Sequence, residues 1–172
     1  MKGVSEPLEG ESRPHFFGGV ATVVTKLLMQ AQPDVALFGE KDYQQLQVIK
    51  RMVIDLDMPI EIAGVPTVRD ENGLALSSRN AYLSPEQRGI ANELNRILFA
   101  VADAVAKGGD IATVRQDGLR RIEVAGFDSV DYLEVRNADT LAQVQNAAEP
   151  MRVLAAVRLG KTRLIDNVPV LI

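Results

Sequence analysis

From Gly19 onward the apolar positions follow a helical rhythm. Val20, Val23, Val24, Leu27, Leu28 and Ala31 recur at the spacing of one helix face, and Pro33 closes the run. Residues 34–38, "DVALF", form a short continuous apolar run of buried-strand type. A second helix is expected over about 42–56, with Leu46, Ile49, Met52, Val53 and Leu56 on one face. Residues 59–66, "PIEIAGVP", alternate and read as another strand. Helix, strand, helix, strand is the rhythm of a parallel sheet, although two strands are fewer than a doubly wound sheet holds.

The pattern then changes. Residues 70–73 form a turn, with Asn72-Gly73 as its hairpin signal. "SPEQ" is the strongest helix start in the chain: Ser84 caps, Pro85 fits the first helical position and Gln87 completes a capping box. That helix carries Ile90, Leu94, Ile97, Leu98, Val101 and Val105 on one face and stops at Gly108-Gly109. Asp110 caps a weaker helix through about residue 123, interrupted by Gly118. Residues 129–136, 152–159 and 162–172 read as strands. Helices followed by strands indicate an α+β unit. The boundary between the two patterns falls near Arg69, and residues 1–14 read as a polar loop or as chain entering from elsewhere.

Composition narrows the chemistry. With 47% hydrophobic and 24% charged residues in 172, the chain can bury a core. A formal charge of -4 argues against non-specific nucleic-acid binding, which needs a basic footprint. There is no cysteine and a single histidine, so disulfides, cysteine–metal sites and histidine-rich zinc sites are excluded. "MKGVSEPLEG" has no apolar h-region and no apolar run has the length of a membrane span, so the reading is cytoplasmic, with no membrane partner.

Two polar stretches interrupt this pattern. In "FGEKDYQQL", Gly39 allows a sharp turn at the strand end, Lys41 is a cation beside a helix start, and Asp42 occupies the cap position. Gln45 shares a helical face with Asp42. The carboxyl end of a parallel strand is where open α/β sheets bind ligands. The plain alternative is a solvated turn in which Asp42 caps and the glutamines sit on the surface. In "LALSSRN", Ser77, Ser78 and Arg79 offer two hydroxyls and a charge-assisted fork suited to phosphate. The alternative there is a polar loop with Arg79 paired to a carboxylate. Taken together, Lys41 and Ser77–Arg79 propose an anion site between the two halves. Glu40, Asp70 and Glu71 are the carboxylates open to Mg²⁺, or simply solvated turn residues. His15, beside two phenylalanines, receives no role.

"FGEKDYQQL", "GVPTVRDENGLALSSRNAYL" and "AAVRLGKTRLIDN", in this order and spacing, resemble the pantoate–β-alanine ligase family across essentially the whole chain. The resemblance implies ATP- and Mg²⁺-dependent joining of pantoate to β-alanine through pantoyl adenylate. It implies an α/β fold: residues 1–69 as the end of a Rossmann-like nucleotidyltransferase domain, and 70–172 as a small α+β domain with antiparallel strands covering the ATP site. By the same resemblance, Gly39, Glu40, Lys41 and Asp42 match the nucleotide-binding turn, with Lys41 on the phosphates and Asp42 near the ribose. Gln45 matches the pantoate-binding glutamine and Val68 a backbone contact on the adenine side. Leu76, Ser77, Ser78 and Arg79 match the segment closing over the triphosphate; Lys41, Ser77, Ser78 and Arg79 are the expected catalytic donors. The family is commonly homodimeric.

The chain departs from the family pattern twice. It holds no H-x-G-H motif, so the resemblance reads it as the later part of such an enzyme, inactive alone. "RPHFFGG" also places Phe16 where the family carries a histidine, with His15 one position earlier.

Overall fold

The capping box at Ser84 forms as read. The Ser84 hydroxyl oxygen accepts from the Gln87 N–H, and the Gln87 side chain accepts from the Ser84 N–H. These bonds belong to a computed structural model that describes residues 1–144 and 148–171. The elements in chain order are α1 (Glu9–Ser12), α2 (Phe16–Ala31), β1 (Val35–Gly39), α3 (Tyr43–Asp55), β2 (Glu61–Val65), α4 (Pro85–Ala106), α5 (Ile111–Ala125), β3 (Ser129–Asn137), β4 (Met151–Leu159) and β5 (Thr162–Val170). Short 3₁₀ turns cover Glu40–Asp42 and Ser78–Tyr82. No helix among the described residues is long and apolar enough to cross a membrane.

The chain divides into two units. The first takes in Met1–Pro66 and Asp139–Ala142, the second Thr67–Ala138 and Gln143–Ile172. In the first unit β1 and β2 pair in parallel, Val35 opposite Glu61 and Gly39 opposite Val65. Ala21 and Leu28 of α2 and Ile49, Met52 and Val53 of α3 form its core, against which Ala36, Phe38 and Ile62 pack. Leu141 is fully buried.

Several expectations fail in this unit, each for a packing reason. β1 alternates between exposed and half-buried positions; Leu37 is 68% exposed. With one sheet neighbour and apolar packing on one side only, half of its apolar run has nothing to bury against. On α2 the buried residues are Phe17, Ala21 and Leu28, whereas Val23, Leu27 and Ala31 are exposed. The apolar stripe is wider than the surface that covers it. Leu56 lies beyond the end of α3 and is exposed too. The loop expected over 1–14 contains the single turn α1, with Val4 and Leu8 buried.

The second unit is an antiparallel sheet in the order β3-β4-β5, packed on α4 and α5. Met151, Val153, Ala155 and Val157 of central β4 join Leu94, Leu98 and Val101 of α4 in one core. The Asp110 carboxylate caps α5 by accepting from the Thr113 N–H at 2.8 Å. Gly118 has a packing role: a Cβ there would lie 2.7 Å from Leu133 Cδ2 and 2.8 Å from Val101 Cγ2. Only glycine lets α5 approach this closely.

Candidate functional site

The residues singled out in the sequence fall into two groups, one in each unit. The first follows β1. Gly39 ends the strand in ordinary extended conformation, and a Cβ there would meet nothing within 4 Å. The expected sharp turn at Gly39 is therefore not a glycine effect; the 3₁₀ turn of Glu40–Asp42 redirects the chain, leaving open space at the strand end. Glu40 lies over the neighbouring strand, its Oε1 3.0 Å from where a Cβ on Gly64 would stand. Lys41 is half-buried and Asp42 exposed. Asp42 holds the cap position of α3, but its side chain makes no capping bond, because its backbone (φ -93°, ψ 59°) leaves the usual extended cap geometry. The carboxylate thus stays outside the helix hydrogen bonding.

The two glutamines have different surroundings. Gln45 is half-buried on the first turn of α3. Gln44, read as surface filler, is buried. Its Oε1 accepts from the Glu9 N–H at 3.1 Å, and its Nε2 donates to the carbonyls of Val4 at 2.9 Å and Pro7 at 2.7 Å. It ties the N-terminal strap to α3, a role no local pattern announced.

The second group sits on a hairpin. The Leu76 N–H donates to the Val68 carbonyl at 2.9 Å, so two predicted site residues are cross-strand partners, both with exposed side chains. The Asp70 carboxylate accepts from the Asn72 and Leu74 N–H groups, each at 3.0 Å, and Gly73 takes φ +89°. Such a turn favours glycine, as the Asn-Gly signal implied. It also engages Asp70 in the turn. Among the described residues, no group of three His, Asp or Glu side chains is placed to hold a metal ion. Mg²⁺ fits only as an ion carried mainly by phosphate oxygens, the usual arrangement at nucleotide sites.

Past Leu76 the chain enters its 3₁₀ turn. Ser77 caps it, its Oγ accepting from the Arg79 N–H at 3.2 Å, which leaves the hydroxyl proton able to donate. Ser78 and Arg79 are exposed. The Arg79 guanidinium reaches only the Arg163 carbonyl, at 3.4 Å, and has no carboxylate partner among the described residues. The ion-paired alternative for Arg79 is thereby set aside. Asn80 anchors the segment from beneath: buried, its Nδ2 donates to the Ala75 carbonyl at 3.0 Å while Arg88 donates to the Asn80 carbonyl at 3.1 Å. The "SSRN" stretch thus pairs exposed donors with a buried peg.

Comparison with known proteins decides the family. Residues 1–169 match the family model described as Pantoate-beta-alanine ligase. The chain belongs to the pantoate–β-alanine ligase family. Among family relatives, the pantothenate synthetase of Paramagnetospirillum magneticum is 58% identical over 173 residues, covering 99% of this chain and 60% of that protein. That of Caulobacter vibrioides is 56% identical, covering 99% of this chain and 61% of its own. The chain thus spans about 60% of the length of the curated relatives it matches. The crystal structure of the Thermus thermophilus pantothenate synthetase superposes with a TM-score of 0.93 at 45% identity, covering 99% of this chain and 62% of that one. The Francisella tularensis ligase, complexed with β,γ-ATP and β-alanine, gives 0.73 at 34% identity over 96% and 55%. The α/β fold is that of the family.

Proposed function

We propose that this chain carries ATP- and pantoate-contacting segments of a pantoate–β-alanine ligase, which condenses pantoate with β-alanine in a cytoplasmic step towards coenzyme A. The observation that carries the reading is Arg79: an exposed guanidinium without a carboxylate partner among the described residues, next to two hydroxyls on an anchored turn. An arginine so placed is suited to phosphate, which its planar fork matches.

In the proposed reaction a pantoate carboxylate oxygen attacks the α-phosphorus of ATP. The bond to the bridging oxygen breaks and pyrophosphate leaves with the electron pair. The β-alanine amine then attacks the acyl carbon, AMP departs, and an amide forms with loss of a proton. Lys41, Ser77, Ser78 and Arg79 donate to phosphate oxygens as negative charge develops, which lowers the barrier when the donors are already oriented. Gly39 gives ligand room at the strand end, Glu40 and Asp42 line the nucleotide turn with Asp42 towards the ribose, and Gln45 holds pantoate. Val68 and Leu76 offer backbone groups beside the adenine and phosphates. Mg²⁺, when bound with ATP, supplies charge neutralisation of the phosphates.

The sequence holds no H-x-G-H motif, and its one histidine, His15, is exposed at the start of α2. On that ground the chain by itself forms no pantothenate, although it binds MgATP. Purified chain is to be titrated with MgATP by calorimetry and assayed for pyrophosphate exchange with pantoate. Binding heat without turnover is the expected result; turnover refutes the inactivity, and absence of heat refutes the nucleotide site. The exposed apolar residues Val23, Leu27, Val35 and Leu37 of the first unit favour a second reading, an association module that forms the family's homodimer. Sedimentation of the chain at several concentrations tests it.

A further inference from the structure

The tail "TRLIDNVPV" breaks its own alternation. Leu164, Val168 and Val170 of β5 lie in the core with α4 and α5, and Asp166 shares their strand parity. A carboxylate at a core position costs stability unless it is paired and fully hydrogen-bonded. Here it is both. The Arg69 guanidinium donates to Asp166 through Nη1 at 2.7 Å and Nη2 at 2.9 Å, and the Asn167 N–H donates to Asp166 Oδ1 at 2.7 Å. The same guanidinium reaches the carbonyls of Gly73 at 3.1 Å and Asn167 at 3.3 Å. Behind it, Arg152 Nε donates to Asn167 Oδ1 at 2.6 Å, and both residues are buried.

Arg69 stands in the first strand of the hairpin, beside Val68 and bridged to Ala75. Nη1 of its fork reaches both the hairpin turn at Gly73 and the sheet at Asp166, and Nη2 reaches the sheet alone. The side chain of Asn95 on α4 lies close against this turn: a Cβ on Gly73 would stand 2.8 Å from Asn95 Oδ1. From this hairpin the chain passes directly to Ser77, Ser78 and Arg79. We propose that Asp166 and Arg69, backed by Asn167 and Arg152, are positioning residues of the ligase: a buried charged clamp that fixes the hairpin and presents the Ser77–Arg79 donors in one orientation. The donor role rests on the proposed function; the mechanical role does not. An apolar pair would fill the same core at lower desolvation cost, so what the charged pair adds is direction.

The test uses the 172-residue chain with Asp166→Asn, which keeps shape and removes charge, and Arg69→Lys, which keeps charge and removes the fork. Native-state amide exchange at Gly73, Leu76 and Asn80 should accelerate in both variants by about tenfold or more beyond any rise at Ala102 in α4 and Val153 in β4. Unchanged hairpin amides, or an equal rise at every amide, would overturn the clamp. Should Asp166→Asn fail to fold, Arg69→Lys alone decides the exchange result. In parallel, MgATP affinity should fall roughly tenfold in the variants, as lost preorganisation requires. Loosened amides with unchanged affinity would overturn the presentation of the donors. No binding by the wild-type chain would instead remove the nucleotide reading, with the exchange data still deciding the clamp.

Discussion

Strands β1 and β4 look alike as sequence, one reading "VALF" and the other "VLAAV", yet they have different surroundings. β4 has β3 and β5 as neighbours, and Val153, Ala155 and Val157 are fully buried. Among the described residues β1 has only β2; Ala36 and Phe38 pack inwards, while Val35 and Leu37 are 47% and 68% exposed. Parallel strands with continuous apolar runs are normally covered on both faces. An apolar run therefore reports how much cover a strand is built for. The second unit supplies that cover from its own residues; the first, as described, does not.

The comparison can be broken at several strengths. The largest effect belongs to the second unit's buried charge: Asp166→Ala leaves Arg69 without its counter-ion and should cost about 3–5 kcal/mol of that unit's stability. Chemical unfolding followed by probes in each unit reads this directly, and equal losses in both units would contradict it. In a ligase-competent form, Lys41→Ala and Arg79→Ala should each reduce pyrophosphate exchange by about 10²–10³, or about 3–4 kcal/mol of barrier. Full exchange by both variants would remove the two segments from the reaction.

Next comes burial itself. Leu133→Ala, at a fully buried β3 position, should cost about 3 kcal/mol. Leu37→Ala in β1 should fall within about 0.5 kcal/mol, as exposed sites do. Comparable losses at the two sites would show that β1 is covered after all.

The smallest effect per group is acid sensitivity. A hydrogen bond from the Thr113 side chain, then one from its backbone, holds the Asp110 carboxyl below its ordinary value. Hydrogen bonds from Arg120 and Arg121 do the same for Asp117. Burial pushes Asp131 up, but hydrogen bonds and charge from Arg163 and Arg158 together outweigh it and leave Asp131 lowered. Each group contributes stability that is present above its unfolded value of about 4 and lost as pH falls through the lowered folded one. Thermal melts from neutral to acidic pH should show the second unit weakening below about pH 4, with a shallower slope in Asp110→Asn.

What was legible in the sequence followed the range of the interaction. The capping box of Ser84 and Gln87, the Asp110 cap and the Gly73 turn each close within a few residues, so pattern alone revealed them. The buried face of α4 was legible for the same reason. The widths of the α2 and β1 faces were not, because an apolar stripe does not say how much partner surface exists. Asp42 carries a capping side chain, but its backbone takes another conformation. The site segments were recognisable through resemblance, whereas Arg69 and Asp166, 97 residues apart, form a pair that no local rule detects. The hint was an aspartate at core parity in a strand, a local inconsistency of the kind found at functional or strained sites.

Gln44 and Gln45 carry one further consequence. Gln44 is buried and latches the N-terminal strap; Gln45, about 100° further around the helix, is half-buried and is the amide proposed to hold pantoate. Inserting a single residue between Lys41 and Gln44 would turn Gln44 about 100° away from the strap and release it. The spacing of this stretch is therefore held as firmly as its composition, and insertions here should be far less tolerated than substitutions at its exposed positions.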